Sequence, residues 1–138
     1  MSRKLKRPTP NKGHRITPRD SDNTPPEQLP PIFCLCHIDK DYCISKCTKE
    51  EKVAFVNKLH TLSQLPWSQL KISHSHGLGY EKINRDSIKS NIPQFIKGDI
   101  SYFIAFRFHG NAPMVGHKNG RIFHIIWLDR NFTLYRHS

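Results

Sequence analysis

The chain has 138 residues, with 22 Lys and Arg against 11 Asp and Glu, a formal charge of +11 and a pI of about 9.8. That length carries one hydrophobic core, and a balance this basic points to a polyanionic partner, most simply nucleic acid. No apolar run approaches the ~20 residues of a membrane span and no apolar segment follows the basic N-terminus, so a cytoplasmic protein without membrane contact is expected.

Residues 1–31 read as a tail that stays disordered. They hold seven of the ten prolines, the basic string RKLKR at residues 3–7 and no aromatic residue. Such a segment cannot bury enough apolar surface to offset its chain entropy. It is either an inert extension or an electrostatic arm for RNA or DNA. Residues 32–138 then form a single domain, which still holds 15 Lys and Arg against 8 Asp and Glu.

Ile32–Ile38 has the composition of a first strand. It opens a group of four cysteines, Cys34, Cys36, Cys43 and Cys47, with His37 nearby. The spacing C-x-C-x₆-C-x₃-C lacks the paired C-x₂-C knuckles of tetrahedral zinc sites. Buried free thiols are therefore expected, with no metal and no other cofactor, and a structural zinc is the alternative. Thr48–Leu62 predicts a helix, because Thr48 and Glu51 form a capping box and Val53, Phe55, Val56, Leu59 and Leu62 recur at helical spacing. Leu65-Pro66-Trp67 opens a second, shorter helix with Trp67, Leu70 and Ile72 towards the core.

The string HSHGLGYEK at residues 74–82 follows. Two glycines in three residues make a sharp loop, and His74, His76, Tyr80 and Lys82 give it the residue types of a nucleic-acid contact; a plain connector is the alternative. Ser87–Asn91 has the character of a helical turn ended by Pro93.

Residues 101–137 carry the strongest pattern. Tyr102–Phe108 and Ile122–Leu128 are apolar runs of strand length, and Asn119-Gly120 between them is a hairpin signal that favours a type I′ turn. Val115–Lys118 reads as a short middle strand, Asp129-Arg130-Asn131 as a turn and Thr133–His137 as a last strand. The fold class is accordingly α+β: two N-terminal helices packed on a four- to five-stranded antiparallel sheet.

Polar residues stand out in this stretch. Arg107, His109, His117, Lys118, Arg121, His124, Tyr135, Arg136 and His137 lie among apolar neighbours, and Asp129 is the single acid. Alternate residues of a strand share a face, so one sheet can gather cations, imidazoles and a phenol on one surface. Arg107, His117, Lys118, Tyr135 and His137 are the candidate catalytic set. His109, Arg121 and Arg136, with the loop residues above, are candidate nucleic-acid contacts. His124, mid-strand between Phe123 and Ile125, reads as a structural residue.

The order of strand, two helices and a meander with a basic, His- and Tyr-bearing face resembles the small RelE/ParE-type toxins of bacterial toxin–antitoxin systems. The resemblance covers residues 48–137 in architecture and residue types. It implies two helices on an antiparallel sheet, metal-independent cleavage of RNA, including ribosome-bound messenger RNA, and an antitoxin protein as partner. It also implies that Arg107, Lys118 and Arg121 act as the basic sheet residues, with Tyr135 and His137 near the C-terminus. The Pro-rich tail, the cysteines and the 74–82 loop depart from that pattern.

Three functions stay open on the sequence. A metal-independent endoribonuclease uses His for proton transfer and Arg or Lys against developing charge. A non-catalytic nucleic-acid binder uses the same cations with aromatics stacked on bases. A regulatory protein that binds another protein makes the charge incidental.

Overall fold

The computed structural model describes residues 23–72 and 77–137. The expectations for residues 1–22, His74 and His76 lie outside them. The strands are β1 (Ile32–Cys34), β2 (Glu81–Asn84), β3 (Tyr102–His109), β4 (Ala112–Asn119) and β5 (Ile122–Leu128). The helices are α1 (Lys49–Leu62) and α2 (Trp67–Ile72). One five-stranded sheet runs in the order β1-β5-β4-β3-β2. The chain is α+β as its pattern implies, but the sheet is mixed. β2, β3, β4 and β5 pair antiparallel, whereas β1 lies parallel to β5, with Ile32 opposite Ile122. Hairpin signals in residues 101–137 are local and could not orient β1, which joins the sheet from far along the chain.

Both β3–β4 and β4–β5 are tight hairpins. The positive φ falls on Gly110 (58°) and Gly120 (64°), and neither Asn111 nor Asn119 shares it. Asn119 closes the second hairpin opposite Ile122, leaving Gly120-Arg121 as the two-residue loop. Positive φ at the first loop residue alone is the pattern of a type II′ turn, not the expected type I′. β4 is also longer than expected and begins at Ala112. A β-bulge at Val115/Gly116 brings the strands so close that a Cβ on Gly116 would stand 2.0 Å from the His124 carbonyl oxygen.

α1 begins as its capping box dictates. The Thr48 hydroxyl accepts from the Glu51 N–H at 3.1 Å, and the Glu51 carboxylate accepts from the Thr48 N–H at 2.7 Å. Its buried line is Glu51, Phe55, Leu59 and Leu62. At about 100° per residue, Val56 and Val53 fall about 100° and about 160° from Phe55. They are exposed at 61% and 56%, contrary to the expected five-residue stripe. Ile72, at the end of α2, is likewise exposed, while Trp67 and Leu70 are fully buried.

The sheet is covered on both faces. The helices seal one face over Ile104, Phe106, Phe108, Met114, Phe123 and Ile125. The other face is closed by irregular chain, 85–101 and 129–137, over Phe103, Ala105, Val115, Ile126 and Trp127. Arg85 holds the first of these segments, its Nη1 donating to the carbonyls of Lys97 (2.7 Å) and Ile100 (3.0 Å). The helical turn lies at Arg85–Ser87 rather than 87–91.

The end of the expected tail is packed on the domain. Pro26–Gln28 form a 3₁₀ turn, the Leu29 carbonyl accepts from the Trp67 N–H at 3.1 Å, and Pro31 is buried. The thiols also differ from expectation. Only Cys47 is buried, Cys34 and Cys43 are half-buried and Cys36 is exposed. Among the described residues no group of three or more His, Cys, Asp or Glu side chains comes together as a metal site would require. No helix among them is long and apolar enough to cross a membrane.

Candidate nucleic-acid cleavage site

The expected last strand at 133–137 is not a strand. Its backbone donors go to a side chain instead of a ladder. Asp129 follows β5 directly and is fully buried. Its carboxylate accepts from the N–H of Thr133 at 2.8 Å and of Leu134 at 3.1 Å. A carboxylate satisfied by local backbone N–H groups stabilises a turn at the expense of regular pairing. Phe132 sits inside this turn at φ 58°, a left-handed conformation that is strained for a bulky side chain. The turn swings residues 134–137 back across the second sheet face. Leu134 is buried there, and its carbonyl accepts from the Lys89 N–H at 2.7 Å.

The same carboxylate holds His137. The His137 Nε2 lies 3.0 Å from Asp129 Oδ2, and the imidazole stacks on Tyr135 with ring centres 4.0 Å apart. The Phe132 and His137 rings also meet in a T-shaped arrangement, with centres 5.1 Å apart. Asp129 thus fixes the ring, leaving Nδ1 as the nitrogen not engaged by that contact. Asp–His pairs of this kind fix the orientation of an imidazole.

A cleft of about 340 Å³ opens beside this pair. Arg107 reaches it from β3 and Glu81 from β2; Tyr135, Arg136 and His137 reach it from the C-terminal segment. Arg107 Nη2 is 3.4 Å from Glu81 Oε2, and its Nη1 is 3.3 Å from Asn111 Oδ1. Burial pushes the Tyr135 phenol up to about 12, the Glu81 and Asp129 carboxylates push the same way, and Arg107 opposes them. At neutral pH Tyr135 is therefore a proton donor and not a base. These influences on one phenol tie Glu81, Arg107 and Asp129 to a single site.

Three of the five candidate catalytic residues, Arg107, Tyr135 and His137, are gathered here, with Arg136 and Lys82 at the edges. Lys118 and His117 are not. Lys118 projects to the helix-covered side, where its Nζ is 2.6 Å from Glu27 Oε2 and 5.1 Å from the Trp67 ring centre. His117 stands opposite His124 across β4–β5 and beside Phe95, and burial lowers both imidazoles below their ordinary range. Of the other candidates, several are engaged in packing or hydrogen bonds or lie apart. Tyr80 packs edge-on to Trp67 and Phe106, Arg121 Nε donates to the Pro30 carbonyl at 3.0 Å, and Lys82 Nζ lies over the Tyr102 ring. His109 is exposed beyond a β-bulge that separates it from Arg107.

Two residues of this cleft and its support escaped sequence reasoning. Asp129 had a signal: it is the single acid of residues 101–137 and stands at a turn. Glu81 had almost none, because β2 is four residues long and follows the glycine loop. Comparison of the chain with protein-family models, curated proteins and solved structures returns no match.

Proposed function

We propose that the protein is a metal-independent endoribonuclease, a RelE-like messenger-RNA-cleaving toxin, acting through the Arg107–Tyr135–His137 cleft. The supporting observation is the convergence of a guanidinium, a protonated phenol, a carboxylate and an imidazole held by a buried aspartate. Cleavage of RNA by its own 2′-OH needs these types. A base takes the 2′-OH proton as the oxygen attacks phosphorus. The P–O5′ bond then breaks and an acid protonates the leaving 5′-oxygen, giving a 2′,3′-cyclic phosphate and a 5′-OH. Glu81 offers a carboxylate to accept a proton, Tyr135 an O–H to donate one, and His137 can do either. Arg107 meets the charge that gathers on the phosphoryl oxygens. Ribosome-bound messenger RNA as substrate and an antitoxin as partner belong to the same proposal, on the resemblance noted above.

The test is incubation of the purified protein with labelled RNA in EDTA, followed by analysis of the product ends. Cleavage leaving cyclic phosphates, lost in Arg107→Ala with the fold intact, is the expected result. A salt-sensitive gel shift with no cleavage on free RNA or on ribosomes would replace the nuclease by a binding protein.

A further inference from the structure

A second polar cleft of about 420 Å³ lies on the other side of the 129–137 turn, lined by Lys46, Lys89 and Arg130, with Asp41 as its acid. Its cations come from three separate parts of the chain: the turn before α1, the 85–101 segment and the residue after Asp129. Arg130 is engaged by Glu51 at 2.7 Å. Lys46 and Lys89 are exposed, and among the described residues neither has an acid within ion-pair distance. Ser90, Asn91 and Asn131 add neutral hydrogen-bonding groups. Tyr42 and Leu128 are the apolar part of a lining that is otherwise polar, and two cations beside amide and hydroxyl groups suit a phosphodiester better than an apolar ligand.

The two clefts share a wall. Thr133 lines this one and Tyr135 lines the candidate cleavage site. Two residues span at most ~7 Å. The wall is rigid, because Thr133 is tied to the Asp129 carboxylate that also holds His137, and its hydroxyl is 3.2 Å from the Tyr42 hydroxyl. The Lys89 N–H bond to the Leu134 carbonyl at 2.7 Å fixes the lysine's backbone against that wall.

We propose that this second cleft is a phosphate subsite for the same RNA strand. It would hold a phosphodiester outside the scissile one through Lys46 and Lys89. The proposal rests on the ribonuclease reading, and extends it by giving the enzyme a substrate longer than a dinucleotide and a direction for the strand, across the 129–137 turn.

The experiment compares wild type with the Lys46→Ala/Lys89→Ala double variant, its fold checked by melting temperature. Two substrates are used: a dinucleoside monophosphate, which fills only the central cleft, and a single-stranded RNA of twelve nucleotides. The variant should lose about tenfold in kcat/KM on the longer RNA through KM, and nothing on the dinucleotide. In parallel, binding of the twelve-mer to His137→Ala, with and without the two lysine substitutions, is followed over a range of salt concentrations. Loss of two phosphate contacts should make the slope of log affinity against log salt shallower by about 1.4. Equal kcat/KM on both substrates with an unchanged slope overturns the subsite, and so does an equal loss on both substrates. If the wild type cleaves no RNA, the nuclease reading fails by itself, and the salt slope still decides whether the cleft takes phosphates.

Discussion

His137 and the pair His117–His124 stand against the same face of one sheet, yet their surroundings make them different chemical groups. His137 has a buried carboxylate at 3.0 Å and borders a solvent-open cleft. His117 and His124 have aromatic neighbours instead: the rings of Phe95 and, for His124, of His37 lie 5.4–6.5 Å away. The buried Nδ1 of His124 has no hydrogen-bond partner among the described residues. Burial without an acid favours the neutral imidazole in the His117–His124 pair. One kind of residue therefore stands as the candidate proton carrier at one end of the sheet and as a packing group at the other.

The largest effect expected from that contrast is on catalysis. His137→Ala should lower RNA cleavage by about 10²- to 10⁴-fold, the range for a lost general acid or base. His124→Ala should change the rate little at temperatures where it stays folded. Equal losses in the two variants, measured as kcat/KM on one RNA, would erase the distinction.

Asp129→Ala should be the most destabilising single change near the site. It leaves the N–H groups of Thr133 and Leu134 without their acceptor, at about 1–3 kcal/mol for the buried Leu134 donor and less for that of the exposed Thr133. The C-terminal segment should loosen before the sheet does. Urea denaturation gives the stability, and amide exchange at residues 133–137 gives its location.

Tyr135 predicts an alkaline loss of stability. Its unfolded phenol ionises near 10, whereas the folded one holds its proton up to about 12. Between those values the native state binds more protons than the unfolded state, so stability falls as pH rises, by roughly 2–3 kcal/mol in all. Tyr135→Phe should flatten that part of the curve. A wild-type denaturation midpoint that tracks the variant's from pH 9 to 12 would refute the assignment.

The smallest effect lies on the acid side. Both His117 and His124 are lowered, burial being the main cause in each. As pH falls through the unfolded value near 6.5, the unfolded chain takes up protons that the folded one resists, and stability drops. His124→Phe should reduce that dependence. The melting temperature of both proteins at pH 7.5 and pH 5.5 measures it.

Much of this contrast was legible in the sequence, and the gaps have physical causes. That Arg107, Tyr135 and His137 would come together was legible because strand alternation and a C-terminal return are simple geometry, although the return is made by a turn and not by a strand. Lys118 was misplaced because alternation gives the parity of a strand residue and not its sheet face. β4 alternates without interruption beside β3 over 114–116, so Lys118 falls with Gly116 and Met114 on the helix-covered face, whereas His117 shares the cleft's face but stands opposite His124, away from Arg107 along the strands. Glu81 was missed because a four-residue edge strand has too few positions to show a period.

The sequence by itself determined the elements whose signals are local. The capping box starts α1, glycine at positive φ closes both hairpins, and apolar runs rich in Phe and Ile make β3 and β5 strands. Tertiary structure alone decided what depends on residues distant in the chain. It set β1 parallel to β5, turned Val53 and Val56 outwards because a single sheet face meets α1, and brought Glu81 to Arg107 across 26 positions. It also buried Asp129 where His137 could reach its carboxylate. Local preferences come from sterics and hydrogen bonds within a few residues, whereas a site is assembled by long-range packing, which no short window of sequence contains.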